Sequence, residues 1–144
     1  MNKKYFTSDK TLLGIDVGST TIKVVLLKKG ELIFSTYERH YSMVKAKALE
    51  IVKRIKKELE GDTIYVSVSG SAGIGLVKES AIPFVQEVYA TSELVKKLRP
   101  QTNVVIELGG EDAKVIFFEK GGCDERMNGT CAGGTGAFID QMAT

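Results

Sequence analysis

Short apolar runs broken by glycine turns open the chain. TLLGIDVGS (11–19) reads as a strand ending in a glycine turn. TTIKVVLLKKG continues as a second strand, and GELIFSTYERH follows as a third after a KKGE hairpin turn. The spacing of apolar positions then changes. Val44, Ala48, Val52, Ile55 and Leu59 recur every three or four residues, which predicts a helix over residues 43–60. Lys45, Lys47, Lys53, Arg54, Lys56 and Lys57 fill the rest of its surface. Such a basic run reads as a solvated helix face, with an acidic partner as the alternative.

DTIYVSVSG is the fourth strand, with Ile64, Val66 and Val68 on one side, and SAGIG reads as a loop. A second helix is predicted after Pro83, over about PFVQEVYATSELVKKL, ending at the breaker Arg99-Pro100. TNVVIELGG is another strand with a glycine turn, DAKVIFFEKGG is its hairpin partner, and GTGAFIDQMAT opens a helix. Strands alternating with helices predict an α/β fold. We expect a first lobe over residues 1–102, with a mixed sheet of five-stranded type beginning with three antiparallel strands. Residues 103–144 are expected to start a second lobe.

One internal echo carries chemistry. Strand, acid, glycine turn and strand occur at GIDVGSTTIKVVLL and again at VIELGGEDAKVIFF. Each apolar strand delivers a carboxylate, Asp16 or Glu107, to its tip. Val17-Gly18-Ser19-Thr20 follows in one copy and Leu108-Gly109-Gly110-Glu111 in the other. Glycine lets backbone N–H groups approach a phosphate closely. Ser19, Thr20 and Thr21 add hydroxyl donors, and Lys23 and Lys114 stand at the same offset from their acids. The acids can hold Mg²⁺ directly or through water. Two such hairpins facing each other across a cleft would clamp a nucleotide's phosphates. The bland alternative is two ordinary tight hairpins each with a capping acid; the matched pair, separated by two strand-helix units, favours phosphate binding over it. No GxxxxGK[ST] loop occurs, and GSAGIG at 70–75 does not have the GxGxxG spacing.

Composition narrows the setting. The 144 residues suffice for one domain with a core, and 43% hydrophobic with 26% charged residues is ordinary for a globular protein. A net charge of +2 makes no case for nucleic acid or an anionic membrane. No apolar run approaches a membrane span, and no apolar signal core follows the basic start MNKKYFTSDK. The expected setting is therefore the reducing cytoplasm. There, Cys123 and Cys131 are free thiols or metal ligands before they are a disulfide. Cys123, at GGCDE, is expected in a hairpin turn with no part in the site. His40 is expected to be a surface or satisfied histidine rather than a ligand or base.

The two hairpins resemble the phosphate motifs of the actin, heat-shock chaperone and sugar-kinase ATPases, which have a ribonuclease H-like fold. With NGTCAGGTGAFID added, the chain looks like one branch of them, the BadF/BadG/BcrA/BcrD-type ATPases. These are the ATP-dependent activators of 2-hydroxyacyl-CoA dehydratases and the ATPase subunits of benzoyl-CoA reductases. That branch typically reads GIDVGS, DIGGQDAK and NDKCAAGTG before a helix. The resemblance covers nearly the whole chain, and the third motif is the specific one. Glu107 stands here for the family's Asp and Glu111 for its Gln, while Gly133 stands for its Ala. This variant looks like the long multidomain relatives, so the residues are expected to be the N-terminal piece of a larger polypeptide.

The resemblance implies an actin-like ATPase whose two identical subunits share a 4Fe-4S cluster. That dimer passes a low-potential electron to a dehydratase or reductase partner. It implies catalytic roles for Asp16, Glu107 and Glu111. It places nucleotide on Gly14, Asp16, Gly18, Ser19, Thr20, Thr21, Lys23, Gly109, Gly110, Asp112, Lys114, Gly134, Thr135 and Gly136, and a cluster ligand at Cys131. Cys131 would precede a helix N-terminus, where thiolate is favoured. Thr135 suits both capping that helix and contacting nucleotide. The family's second ligand cysteine and adenosine-binding segment lie downstream. The 144 residues alone are therefore expected to bind ATP weakly and to carry no cluster. Two rivals are a phosphotransferase of the sugar- or acetate-kinase kind, which needs no cysteine at 131, and a non-catalytic nucleotide-responsive module, which would bind ATP without turnover or iron.

Overall fold

A computed structural model describes residues 7–78, 80–110, 112–119, 122–128 and 135–143, side chains at 137 and 140 excepted. The chain divides into two units, Met1–Val85 and Gln86–Thr144.

The first unit carries β1 (Thr11–Val17), β2 (Thr21–Lys28), β3 (Glu31–Arg39), α1 (Val44–Arg54), α2 (Lys56–Leu59), β4 (Ile64–Ser69) and α3 (Ile74–Val77). The sheet order is β3-β2-β1-β4, with the first three strands antiparallel and β4 parallel to β1. Lys29 and Gly30 both take positive φ, 51° and 80°, at the β2–β3 hairpin. That backbone matches the strands' right-handed twist. Strand alternation sorts the sheet into two faces. Leu13, Ile15, Val17, Ile22, Val24 and Leu26 fill one face and pack with Ala48, Ile51 and Ile55. Asp16 and Lys23 sit on the alternate positions of their strands.

Two expectations change here. The predicted single helix over 43–60 is two, because the chain unwinds at Ile55 (φ −99°, ψ 8°), a residue buried in the core. Ile51, absent from the predicted stripe, is wholly buried instead. The five-stranded sheet is four-stranded among the described residues. Its fifth member is one parallel bridge, Val68 to Phe84, where the Val68 N–H donates to Pro83 O (3.1 Å) and the Val85 N–H to Val68 O (2.8 Å). Proline has no N–H for a ladder, and the next helix starts at Glu87. SAGIG is not wholly a loop either, since α3 begins within it.

The second unit carries α4 (Glu87–Leu98), β5 (Val104–Leu108), β6 (Ala113–Glu119), β7 (Gly122–Met127) and α5 (Gly136–Met142), with β5-β6-β7 an antiparallel sheet. The division precedes α4, whereas the sequence placed it after α4. Glu87 ion-pairs with Lys114 of β6, and the Ser92 hydroxyl donates to Cys123 Sγ at 3.6 Å. Cys123 therefore lies in strand β7, opposite Phe118, rather than in a turn. Every position of β7 is exposed, so its sequence shows no alternation; charged residues there suit an edge strand. No helix among the described residues is long and apolar enough to cross a membrane.

Candidate functional site

Both halves of the sequence echo are built alike. Antiparallel pairing places Asp16 opposite Lys23 and Glu107 opposite Lys114, which explains the shared offset. Each turn closes with one equivalent bond. The Gly18 N–H donates to Thr21 O at 2.9 Å, and the Gly109 N–H donates to Asp112 O at 2.9 Å. At Gly109 an added Cβ would lie 2.7 Å from Asp112 Oδ1 and 3.1 Å from Asp112 O, so the Asp112 side chain would have to move and the turn would be tight. At Gly18 the nearest atom to such a Cβ is Lys23 Nζ at 3.7 Å, an ordinary contact. The protein leaves that approach open.

In the first unit both carboxylate oxygens of Asp16 are held. Lys23 Nζ donates to Oδ2 at 2.8 Å and Ser69 Oγ donates to Oδ1 at 2.8 Å. Both partners of the ion pair keep about a third of their side-chain exposure (34% each), so solvent screens it and the net contribution is within about 1 kcal/mol. Its effect is to orient the carboxylate. Ser69 reaches Asp16 because β4 runs parallel to β1 with Asp16 beside Ser69. Gly70 (φ 90°) then turns the chain across the end of β1, where the Ala72 N–H donates to Val17 O at 3.0 Å. Ser69 was missed by the sequence reading; its signal was the short residue at the tip of a strand that could pair with β1.

His40 was also passed over. It is 3% exposed. Its Nε2 lies 3.0 Å from Gly18 O, its Nδ1 accepts from the Ser42 N–H at 3.1 Å, and its own N–H donates to Thr20 O at 3.2 Å. It is the satisfied histidine expected, but what satisfies it is the first turn. Gly14 lies on β1 with open space where a Cβ would stand, Ser19 is half-buried, Thr20 is exposed, and Thr21 starts β2.

In the second unit Lys114 is buried and pairs with Glu87 Oε2 and, at 3.6 Å, with Asp112 Oδ2. Burial alone would lower its pKa. The bond from Glu87 and the charges of Glu87, Glu107 and Asp112 outweigh that and raise it. A carboxylate oxygen of Glu107 is shielded from solvent. The turn is tied to α5. The Gly136 N–H donates to Gly109 O at 2.8 Å, and Thr135 Oγ1 donates to Gly110 O at 3.3 Å. Thr135 is wholly buried. Glu111, Cys131 and Gly134 lie outside the described residues. Among the described residues no group of three or more metal-ligating side chains converges.

Comparisons with known proteins bear on family and fold. Residues 13–144 match the BadF/BadG/BcrA/BcrD ATPase family. The chain is 34% identical over 140 residues to the activator of lactoyl-CoA dehydratase of Anaerotignum propionicum, covering 91% of this chain and 52% of that protein. It superposes on the activator of 2-hydroxyisocaproyl-CoA dehydratase from Clostridium difficile, solved with bound ADPNP, with a TM-score of 0.75 and 31% identity over 92% of this chain and 51% of that one. Component A of (R)-2-hydroxyglutaryl-CoA dehydratase from Acidaminococcus fermentans gives 0.74 and 29% over 93% and 53%. The fold is thus the mixed α/β fold of the actin-like ATPases. The chain spans about half the length of the relatives it matches.

Proposed function

The chain belongs to the BadF/BadG/BcrA/BcrD ATPase family, and on that premise we propose that its protein is an ATP-driven activator of a 2-hydroxyacyl-CoA dehydratase or benzoyl-CoA reductase-type enzyme. The observation that carries the reading is the pair of equivalent turns, each closed by the same bond beside an acid at a strand tip. In the first unit nucleotide phosphate takes the Ser19 N–H and the hydroxyls of Ser19 and Thr20 beside Gly18, and in the second unit it takes the Gly110 N–H beside Gly109, because the Gly18 and Gly109 N–H groups themselves close the turns. Either acid, Asp16 in the first unit or Glu107 in the second, could hold Mg²⁺ directly or through water. Lys23 offsets the charge of Asp16, to which it is already bonded. Lys114 offsets Glu87, Glu107 and Asp112. Hydrolysis needs a water placed by a carboxylate, and Asp16, pinned at both oxygens, is oriented for that task.

The tie from the second turn to the start of α5 supports the activator role. Gly109 and Gly110 carry carbonyls bonded to Gly136 and Thr135, so a change of phosphate occupancy at that turn is felt at the helix that follows Cys131. A 4Fe-4S cluster to which Cys131 and its equivalent in a second subunit would each give one of the ligands, with a further cysteine of each subunit giving the others, would supply a low-potential one-electron centre. The protein is then a cytoplasmic homodimer whose ATP cycle gates docking on its acyl-CoA enzyme.

The test uses the full-length protein, purified anaerobically. We expect Mg²⁺-dependent ATP hydrolysis, together with iron and sulfide. Asp16→Ala should abolish turnover while the protein stays folded. Cys131→Ser should remove the iron and leave nucleotide binding intact. A Cys131→Ser protein that kept its iron, or a wild type without hydrolysis, would defeat the reading.

A further inference from the structure

The sole histidine is placed where it can set the direction of a phosphate-binding N–H. We propose that His40 is the positioning residue of the first turn, holding the Gly18–Ser19 peptide so that the Ser19 N–H faces a nucleotide phosphate; this rests on the ATP-binding reading above. The ring has two contacts. Nδ1 accepts from the Ser42 N–H at 3.1 Å, so the neutral ring carries its proton on Nε2, which donates to Gly18 O at 3.0 Å. A trans peptide is planar, with its C=O and N–H antiparallel. Fixing the Gly18 carbonyl toward a ring that is 3% exposed therefore turns the Ser19 N–H the opposite way, out of the core. The His40 N–H fixes Thr20 O at 3.2 Å, so one residue of the β3 end grips the turn at two carbonyls.

The local backbone is bent to allow this. Tyr41 and Ser42 both take left-handed φ, 49° and 62°, although neither is glycine. Two consecutive non-glycine residues in that region are unfavourable and persist only where surroundings fix them. Here the bend brings the Ser42 N–H back onto Nδ1 and lets the Met43 N–H donate to His40 O at 2.8 Å. The strained turn and the buried ring thus set the tautomer. The tautomer sets the donor, and the donor sets the peptide that approaches phosphate.

Substitution separates the two ring contacts. In the full-length protein, His40→Gln keeps a donor at the reach of Nε2, whereas His40→Asn keeps an acceptor near Nδ1 and cannot reach Gly18 O. His40→Phe fills the space and makes neither bond. Calorimetry with Mg·ATP, paired with melting temperature and the KM and kcat for hydrolysis, reads the difference. Losing one hydrogen bond weakens binding by roughly five- to tenfold. We expect that loss, mainly in KM, for Asn and Phe, with Gln within about threefold of wild type. If Asn does not fold, Phe against Gln gives the same comparison. A purely structural histidine would lower the melting temperature of all three and leave the affinity of the folded protein unchanged; that result, or equal losses in Gln and Asn, overturns the proposal while the ATP-binding reading stands. A wild-type protein that binds no Mg·ATP overturns both.

Discussion

Lys114 offers the sharpest energetic test of the second unit. Its side chain is 9% exposed and its ammonium pairs with Glu87 (22% exposed) and Asp112 (42%). Lys114→Met keeps the length and apolar stem but removes the cation that Glu87, Glu107 and Asp112 face. Breaking a fully buried pair costs about 3–5 kcal/mol. Solvent still reaches two of the carboxylates, which brings the expectation to roughly 2–3 kcal/mol. Glu87→Gln should cost only about 1 kcal/mol, because the amide oxygen still accepts from Nζ and Asp112 and Glu107 still face the charge. Differential scanning calorimetry should show a drop on the order of 5–10 °C for Lys114→Met and clearly less for Glu87→Gln. Replacing both by Met and Leu should cost less than the sum of the single changes, as for directly contacting residues. The pH dependence has a definite sign. The folded pKa is raised above the ordinary 10.5, so the contribution is fully present below about 10.5 and is lost only as pH rises through the folded value. If Lys114→Met melted with wild type, or Glu87→Gln cost more than Lys114→Met, the account of the pair would fail.

The other predictions concern the first unit. Glu38, bonded by Arg54 and by Thr36 (2.5 Å), has its pKa lowered to about 2. Its contribution is present above the ordinary 4.5 and disappears as pH falls toward 2, so Glu38→Gln should flatten the acid limb of stability measured by circular dichroism. Gly70→Ala would put a Cβ 2.1 Å from Val17 O at φ 90°, whereas Gly61, at φ 81°, has open space. The first should cost more than about 3 kcal/mol and the second only about 1 kcal/mol, read from melting of the two proteins, and equal losses would refute the steric argument. Ser69→Ala releases one oxygen of Asp16 and should slow phosphate release by roughly five- to tenfold with the fold unchanged, far less than Asp16→Ala.

Much of the site could be read because it is local. Asp16 and Lys23, or Glu107 and Lys114, lie one hairpin apart, and antiparallel pairing converts sequence offset into a cross-strand contact. Repetition of the same offset made the glycine turns stand out from ordinary ones. What escaped depends on contacts distant in sequence. Ser69 meets Asp16 across 53 positions and Glu87 meets Lys114 across 27. Neither has a periodicity to mark it. The break at Ile55 is a tertiary event in a stretch whose spacing is helical throughout. β7 is exposed at every position, and such a strand looks like loop until a neighbour supplies its ladder.

The two turns share a closing bond and differ in what holds their carbonyls, and that difference has consequences for motion. In the first unit Gly18 O and Thr20 O are taken by His40, which is itself buried just after β3. In the second unit Gly109 O, the counterpart of Gly18 O, and Gly110 O, the counterpart of Ser19 O, are taken by Gly136 and Thr135 at the start of α5. Planarity of the peptide makes Gly109 C=O and Gly110 N–H one rigid plate. A phosphate accepting from that N–H pulls on the plate that holds α5, whereas the same pull at Ser19 meets a buried ring. Two neutral hydrogen bonds of about 1 kcal/mol each bound what the second turn can transmit, and that matches the usual 1–3 kcal/mol of coupling between sites. On the reading proposed above, the first turn would hold nucleotide and the second would report it, and the coupling would run to the helix after Cys131 rather than to chemistry on a second substrate.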